Sequence, residues 1–197
     1  GAMERMDTQH KIDPALYPSL VEKWRAANPN IVAMWDKIGA AALSCVRTGA
    51  AQKTYGLRFE YVYTPHGQTY MTIQLPSGRK LYYPRPHITT NRWDHPSLAY
   101  WGTDQNTKKW LPIETYGGKL TENVVQAIAR DCLVVAMQRL DAKGYNIVMH
   151  IHDEVVIDAA PDQTLDDVNA IMGEPVPWAP DLPLKAAGSE LKYYQKD

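Results

Sequence analysis

Asn146-Ile147-Val148-Met149-His150-Ile151-His152-Asp153-Glu154-Val155-Val156-Ile157-Asp158 places two apolar, largely β-branched runs on either side of three polar residues. The pattern predicts a strand, a tight reversal at His152-Asp153-Glu154, and a second strand. Before it, residues 120–140 predict a long helix. Val124, Ile128, Cys132, Val135 and Leu140 would form its buried stripe, Thr121 its N-cap and Gly144 its stop. After it, residues 161–172 predict another helix, and residues 182–186 and 191–194 predict edge strands. An antiparallel pair backed by helices belongs to the α+β class.

Further upstream the period changes twice. Leu16, Leu20, Val21 and Trp24, then Ile31, Met34, Trp35, Ile38, Ala42 and Cys45, recur at helical spacing around Asn28-Pro29-Asn30, which predicts a helical hairpin over residues 14–48. Phe59, Tyr61 and Tyr63, then Met71, Ile73 and Leu75, alternate between turn signals at Pro65-His66-Gly67 and Pro76-Ser77-Gly78, which predicts an antiparallel meander. Residues 85–117 are rich in Pro, Thr, Asn, Trp and Gly. They read as a long irregular excursion, a lid or an insertion, with short strands near Ala99-Tyr100-Trp101 and Lys109-Trp110-Leu111. Four segments result: a tag remnant and flexible N-terminus over 1–13, the helical hairpin over 14–48, the meander and excursion over 49–117, and the part carrying His152-Asp153-Glu154 over 118–197.

With 197 residues, 45% of them hydrophobic, the chain can bury one core of ordinary size or a core plus a small subdomain. The 21 Lys/Arg against 22 Asp/Glu, net -1, exclude a globally basic, histone-like binder. The balance is uneven: residues 20–95 carry net +6 and residues 151–197 net -7, so one part could meet a polyanion and another hold cations. Cys45 and Cys132 lie in apolar, helix-like stretches and lack disulfide or zinc spacing, so a reducing cytoplasm is the expectation. No apolar run approaches the roughly 20 residues of a membrane span.

Two constellations carry chemistry. Asp153 and Glu154 are adjacent acids between apolar strands, costly to bury without a partner, and a divalent cation is one such partner. A hard ion such as Mg²⁺ takes carboxylate oxygens and keeps its other positions for water and phosphate, which suits phosphoryl transfer. A solvent-facing β-turn is the plain alternative. Along the long helix, Lys119, Asn123, Gln126 and Arg130 recur at four- and three-residue steps and share a face, either solvated or laid along a nucleic-acid backbone or groove. Trp93, Trp101 and Trp110 could stack on bases, although core packing or loop anchoring is the simpler account.

The order of these features resembles the C-terminal portion of the family A, polymerase I-like DNA polymerases, most closely those of phages and prophages. The residues that carry the resemblance are Gln126-x-x-x-x-Asp131, Met149-His150-Ile151-His152-Asp153-Glu154-Val155 at the family's third catalytic motif, and Pro183-Leu184-Lys185-Ala186-Ala187-Gly188. Leu20-Val21-x-x-Trp24-Arg25-x-x-Asn28-Pro29 and Leu75-Pro76-Ser77-Gly78-Arg79-x-Leu81-x-Tyr83-Pro84 are similar as well. The resemblance implies a palm-like antiparallel sheet and template-directed nucleotidyl transfer with two Mg²⁺ ions, on primer-template DNA and deoxynucleoside triphosphates. It makes Asp153 a metal-binding catalytic carboxylate, Glu154 an accessory carboxylate near the metals, and His152 a contact to the primer terminus. Gln126 becomes a donor to minor-groove acceptors common to all base pairs. Lys119 and Arg130 become phosphate contacts by their place on that face. Glu122 stands where the family commonly has Asn, so Asn123 matches the groove-binding position less well.

The family's first catalytic Asp motif and its fingers helix are not found. Two-metal chemistry needs carboxylates from both motifs, so the expectation is a piece beginning after the fingers helix, ending at the parent's C-terminus and inactive alone. Two other readings compete. One is a non-catalytic duplex-binding or structural remnant, self-associating through exposed strand edges. The other is a metal-dependent hydrolase using His150 and His152, alternate residues of one strand.

Overall fold

The computed structural model describes residues 2–9, 11–91 and 93–195. Gly1, His10, Arg92, Lys196 and Asp197 lie outside the described residues, and with them the reading of His10 as an exposed loop residue. The fold is α+β. In chain order it runs α1 (Ala2–Met6), a 3-10 turn (Pro14–Leu16), α2 (Tyr17–Ala27), α3 (Pro29–Thr48), β1 (Gln52–Thr54), β2 (Leu57–Tyr63), β3 (Thr69–Gln74), β4 (Lys80–Pro84), β5 (His87–Thr90), β6 (Pro96–Thr103), β7 (Trp110–Thr115), α4 (Gly117–Ala142), β8 (Asn146–Ile151), β9 (Glu154–Asp158) and α5 (Leu165–Met172). No helix among the described residues is long and apolar enough to cross a membrane. Two compact units divide the chain: Gly1–Tyr55 with Phe59–Met71 and Tyr83–Thr121, and Gly56–Arg58 with Thr72–Tyr82 and Glu122–Asp197.

In the first unit the expected helical pair forms α2 and α3. Asn28 joins them, and its side-chain amide turns back to donate to the Trp24 carbonyl at 2.8 Å rather than capping α3. Trp24 and Trp35 stack with ring centroids 5.6 Å apart, while Ile38, Ala42 and Cys45 are buried. α3 stops at Gly49, whose φ of 72° closes the helix in the left-handed region. Near the N-terminus, Asp7 accepts hydrogen bonds from the Lys11 and Ile12 N–H groups and from the Tyr17 hydroxyl, all within 3.0 Å.

The meander is a four-stranded sheet in the order β1-β2-β3-β4, with Leu57, Phe59, Met71, Ile73 and Leu75 buried. The short strands expected near Ala99-Tyr100-Trp101 and Lys109-Trp110-Leu111 fall in β6 and at the start of β7, but the stretch is more regular than expected: β5, β6 and β7 form a three-stranded antiparallel sheet. Leu98 pairs with Thr115 and Ile88, and Tyr100 with Ile113, so cross-strand partners supply the order that its weak periodicity conceals.

Most of α4, from Glu122 onward, belongs to the second unit, and its first turn to the first. Its burial changes side along its length: Leu120, Val124, Ala127 and Asp131 are buried, then Leu133, Ala136 and Leu140. At about 100° per residue these two sets face roughly opposite directions. The single stripe expected from Val124 to Leu140 is therefore wrong for Ile128, Cys132 and Val135, because a helix of about 39 Å passes through two packing environments. Nor does Thr121 cap the helix; it is buried within it, its hydroxyl donating to the Gly117 carbonyl at 2.8 Å. Leu140, Tyr145 and Ile171 form a core that Ile147, Val155, Ile157, Val168 and Met172 flank. α5 starts at Thr164, whose hydroxyl accepts from the Asp167 N–H. The strands expected over residues 182–186 and 191–194 do not form. Pro175, Pro177, Pro180 and Pro183 withhold ladder donors, and a lone Val176–Ala179 bridge is the only pairing described there.

Candidate active-site hairpin

β8 and β9 pair antiparallel from Asn146–Asp158 to Ile151–Glu154, with a register shift between Ile147 and Met149 that leaves Val148 as the extra residue of a bulge. Val148 and Met149 are consequently exposed, although the sequence reads as an uninterrupted apolar run. The other side of the pair rests on the Leu140–Tyr145–Ile171 core, which fixes the base of the hairpin. At its tip only His152 and Asp153 separate the strands. His152 takes the first loop position with φ 51°, where a two-residue hairpin favours glycine. A bulky residue held in that region marks a strained position of the kind concentrated at functional sites.

His152, Asp153 and Glu154 are all exposed. The Tyr194 hydroxyl donates to Glu154 Oε2 at 3.5 Å. Desolvation, and then the Glu154 charge, push the phenol above its ordinary range. Sequence reasoning did not assign Tyr194 to the site, because the contact joins residues 40 apart.

On α4, Gln126 donates its amide to Glu122 one turn earlier, at 3.4 Å. Lys119 is exposed in the first turn of the helix, and Asn123 is half-buried. Arg130 reaches the hairpin: its Nη1 and Nη2 lie 3.3 Å from Nδ1 and Nε2 of His150 respectively. The two ring nitrogens of an imidazole point in diverging directions, so one guanidinium cannot meet both in the ring plane. The guanidinium lies within hydrogen-bond reach of the ring, and the His150 tautomer decides which nitrogen accepts. The contact joins the polar face of the helix to the strand that leads into His152-Asp153-Glu154.

Next to Arg130, on the buried side of α4, lies Asp131, only 7% exposed. Its Oδ1 is 2.5 Å from Arg79 Nε and its Oδ2 accepts from the Ser77 hydroxyl at 2.5 Å, while Arg79 Nη2 donates to the Ala127 carbonyl at 2.8 Å. The Pro76-Ser77-Gly78 turn thus grips the helix one residue from Arg130. A signal was present in the spacing: Asp131 continues the Leu120, Val124, Ala127 series of four- and three-residue steps.

Asp153 and Glu154 offer hard oxygen donors on a packed hairpin, open to solvent, which fits part of a Mg²⁺ site with water and phosphate completing the shell. Among the described residues no three His, Cys, Asp or Glu side chains gather where they could hold a metal ion. The hydrolase reading finds little support in this arrangement, since Arg130 lies at the ring nitrogens of His150 and such a site needs ligands beyond the two histidines.

No family model matches the chain, and no solved structure matches it. Over 183 residues, 91% of its length, the chain is 45% identical to a DNA polymerase of Bacillus phage SP02. It spans 27% of the length of that relative. By that match the chain is the counterpart of a part of a DNA polymerase.

Proposed function

We propose that this chain supplies the third-motif carboxylates and the duplex-contacting helix of a family A, template-directed DNA polymerase. The observation that carries the reading is an exposed His152-Asp153-Glu154 tip, on a core-anchored hairpin, tied by the Arg130–His150 contact to the polar face of α4. Asp153 and Glu154 would hold Mg²⁺, which when bound supplies charge neutralisation at a transferring phosphoryl group. His152 would contact the primer terminus. Gln126 would donate to minor-groove acceptors, with Asn123 beside it, and Lys119 and Arg130 would meet phosphates. The substrates in this reading are primer-template DNA and deoxynucleoside triphosphates, and the setting is the cytoplasm.

One hairpin brings carboxylates from one side only, and two-metal transfer needs both. The chain alone is therefore expected not to extend a primer. Binding of labelled primer-template to the purified chain, with and without Mg²⁺, tests the reading. Affinity should fall steeply with salt and should rise with Mg²⁺ in a manner that Asp153→Asn abolishes. Salt-sensitive binding with no Mg²⁺ response would favour the non-catalytic remnant. Self-association through the edges of the β8–β9 pair would show as a concentration-dependent sedimentation coefficient.

A further inference from the structure

We propose that one face of the β5–β7 sheet, carrying Trp110, Trp101 and Arg85, is a stacking platform for the unpaired bases of single-stranded DNA. The choice of DNA rests on the function proposed above; the platform itself rests on the sheet. Trp101 pairs with Pro112 and Thr103 with Trp110, which sets all four on one face. The two residues are diagonal neighbours, with Cα atoms about 7–8 Å apart in such a sheet. The opposite face already has its core: Leu98 is buried, Tyr83 meets Tyr100 edge-on at 5.0 Å, and Ile113 and Tyr100 close over Gly102. The tryptophans are thus not needed to close the sheet. Trp110 is 53% exposed and Trp101 is half-buried, while Ala99 on the same face is buried.

The charges suit a polyanion. Arg85, held at φ 46° with its N–H donated to the Thr69 carbonyl, sets its guanidinium 5.4 Å from the centre of the Trp101 ring. Lys108 and Lys109 flank Trp110 in the turn between β6 and β7. The acid of that turn, Asp104, is engaged by the N–H groups of Asn106 and Thr107 and by the Thr107 hydroxyl. Glu114, the acid on the face itself, sits at the Ala99 end. An exposed indole beside a half-buried one that carries a cation suits an unpaired base over its phosphate, whereas a duplex hides its base faces.

Fluorescence anisotropy of labelled (dT)12 titrated with the full chain tests this. Trp110→Ala should weaken binding about tenfold, in line with the loss of one stacked base, with Trp110→Phe intermediate. Arg85→Ala should weaken it several-fold, and replacing Lys108 and Lys109 by Ala should flatten the salt dependence. Unchanged affinity in Trp110→Ala and Arg85→Ala, with thermal melts matching the parent chain, overturns the proposal. So does the absence of (dT)12 binding, which would leave the face to a protein partner. Asp153→Asn separates the two readings. Lost Mg²⁺-dependent duplex binding with (dT)12 affinity intact supports both, whereas duplex binding without (dT)12 binding sinks the platform alone. Intact (dT)12 binding with no Mg²⁺ response in the parent chain sinks only the polymerase reading.

Discussion

The β8–β9 hairpin and the β5–β7 sheet are both antiparallel, yet they expose their chemistry differently. The hairpin spends one side on the Leu140–Tyr145–Ile171 core and presents its polar residues at a two-residue tip, where backbone conformation decides what points where. The sheet has three strands and closes its turns with side chains: Asn91 Oδ1 accepts from the Trp93 and His95 N–H groups, and Asp104 does the same between β6 and β7. Its exposed residues lie on a face, where register decides. A tip suits the placing of two carboxylates, and a face suits the receiving of flat ligands.

The support beneath the sheet is the place to break this contrast hardest. Gly117 begins α4 directly after the sheet, and a Cβ there would stand 1.9 Å from the Trp35 carbonyl oxygen, with Gly39 also close. Backbone cannot yield as a flexible side chain can. Gly117→Ala is expected to cost about 3 kcal/mol, lowering the melting temperature by about 10 °C for a chain of this size. A melt within 2 °C of the parent would show that the approach of α3 to α4 relaxes freely.

Asp131 offers the next largest effect, in the hairpin's unit. Asp131→Ala leaves Arg79 without its carboxylate and Ser77 without its acceptor. A fully buried pair broken this way loses about 3–5 kcal/mol, and the part-exposure of Arg79 reduces the expectation to about 2 kcal/mol. Urea unfolding measures it. If the loss is indistinguishable from that of Asp141→Ala on the exposed side of α4, the grip of the turn on the helix carries no energy.

These two residues mark where sequence reasoning stopped. The hairpin was legible because its period of two and its polar tip are local signals, and the polar face of α4 was legible because three- and four-residue steps need no partner to be seen. The burial of Asp131 depends on a turn 52 residues away, so the acid read as part of a motif without a structural task. The β5–β7 sheet was legible only as two short strands, near Ala99-Tyr100-Trp101 and Lys109-Trp110-Leu111, and its extent was hidden for a similar reason. Pro96, Gly102 and Pro112 interrupt the pattern, and cross-strand pairing supplies the rest of the strands. The bulge at Val148 likewise turned apolar residues outward without any local warning.

At the tip, His152→Gly should sharpen the contrast in the opposite direction. Glycine takes φ near 51° without the crowding a Cβ brings, so the variant is expected to be more stable by about 1 kcal/mol. Its Mg²⁺-dependent duplex affinity should fall nonetheless, because the imidazole has gone. A variant that is less stable than the parent would show that the ring, rather than the backbone, holds the turn.

The smallest effect belongs to the turn between β6 and β7. The N–H of Thr107, then its hydroxyl, hold the Asp104 carboxyl below the usual carboxylate range, against a small opposing desolvation. A group whose folded pKa is depressed contributes stability that is present above its unfolded value, 3.8 here, and is lost as pH falls through the folded one. Acidification below about pH 4 should therefore loosen this turn before the rest of the sheet, with the amide protection factor, exchange relative to the intrinsic rate at each pH, falling at Thr107 first. Asp104→Asn keeps an acceptor oxygen but has no charge to titrate, so its protection at Thr107 should be lower than the parent's at neutral pH and unchanged by acid. Equal acid sensitivity in the two chains would move the titration elsewhere, and with it the claim that Asp104 is committed to its own loop beside Lys108, Lys109 and Trp110.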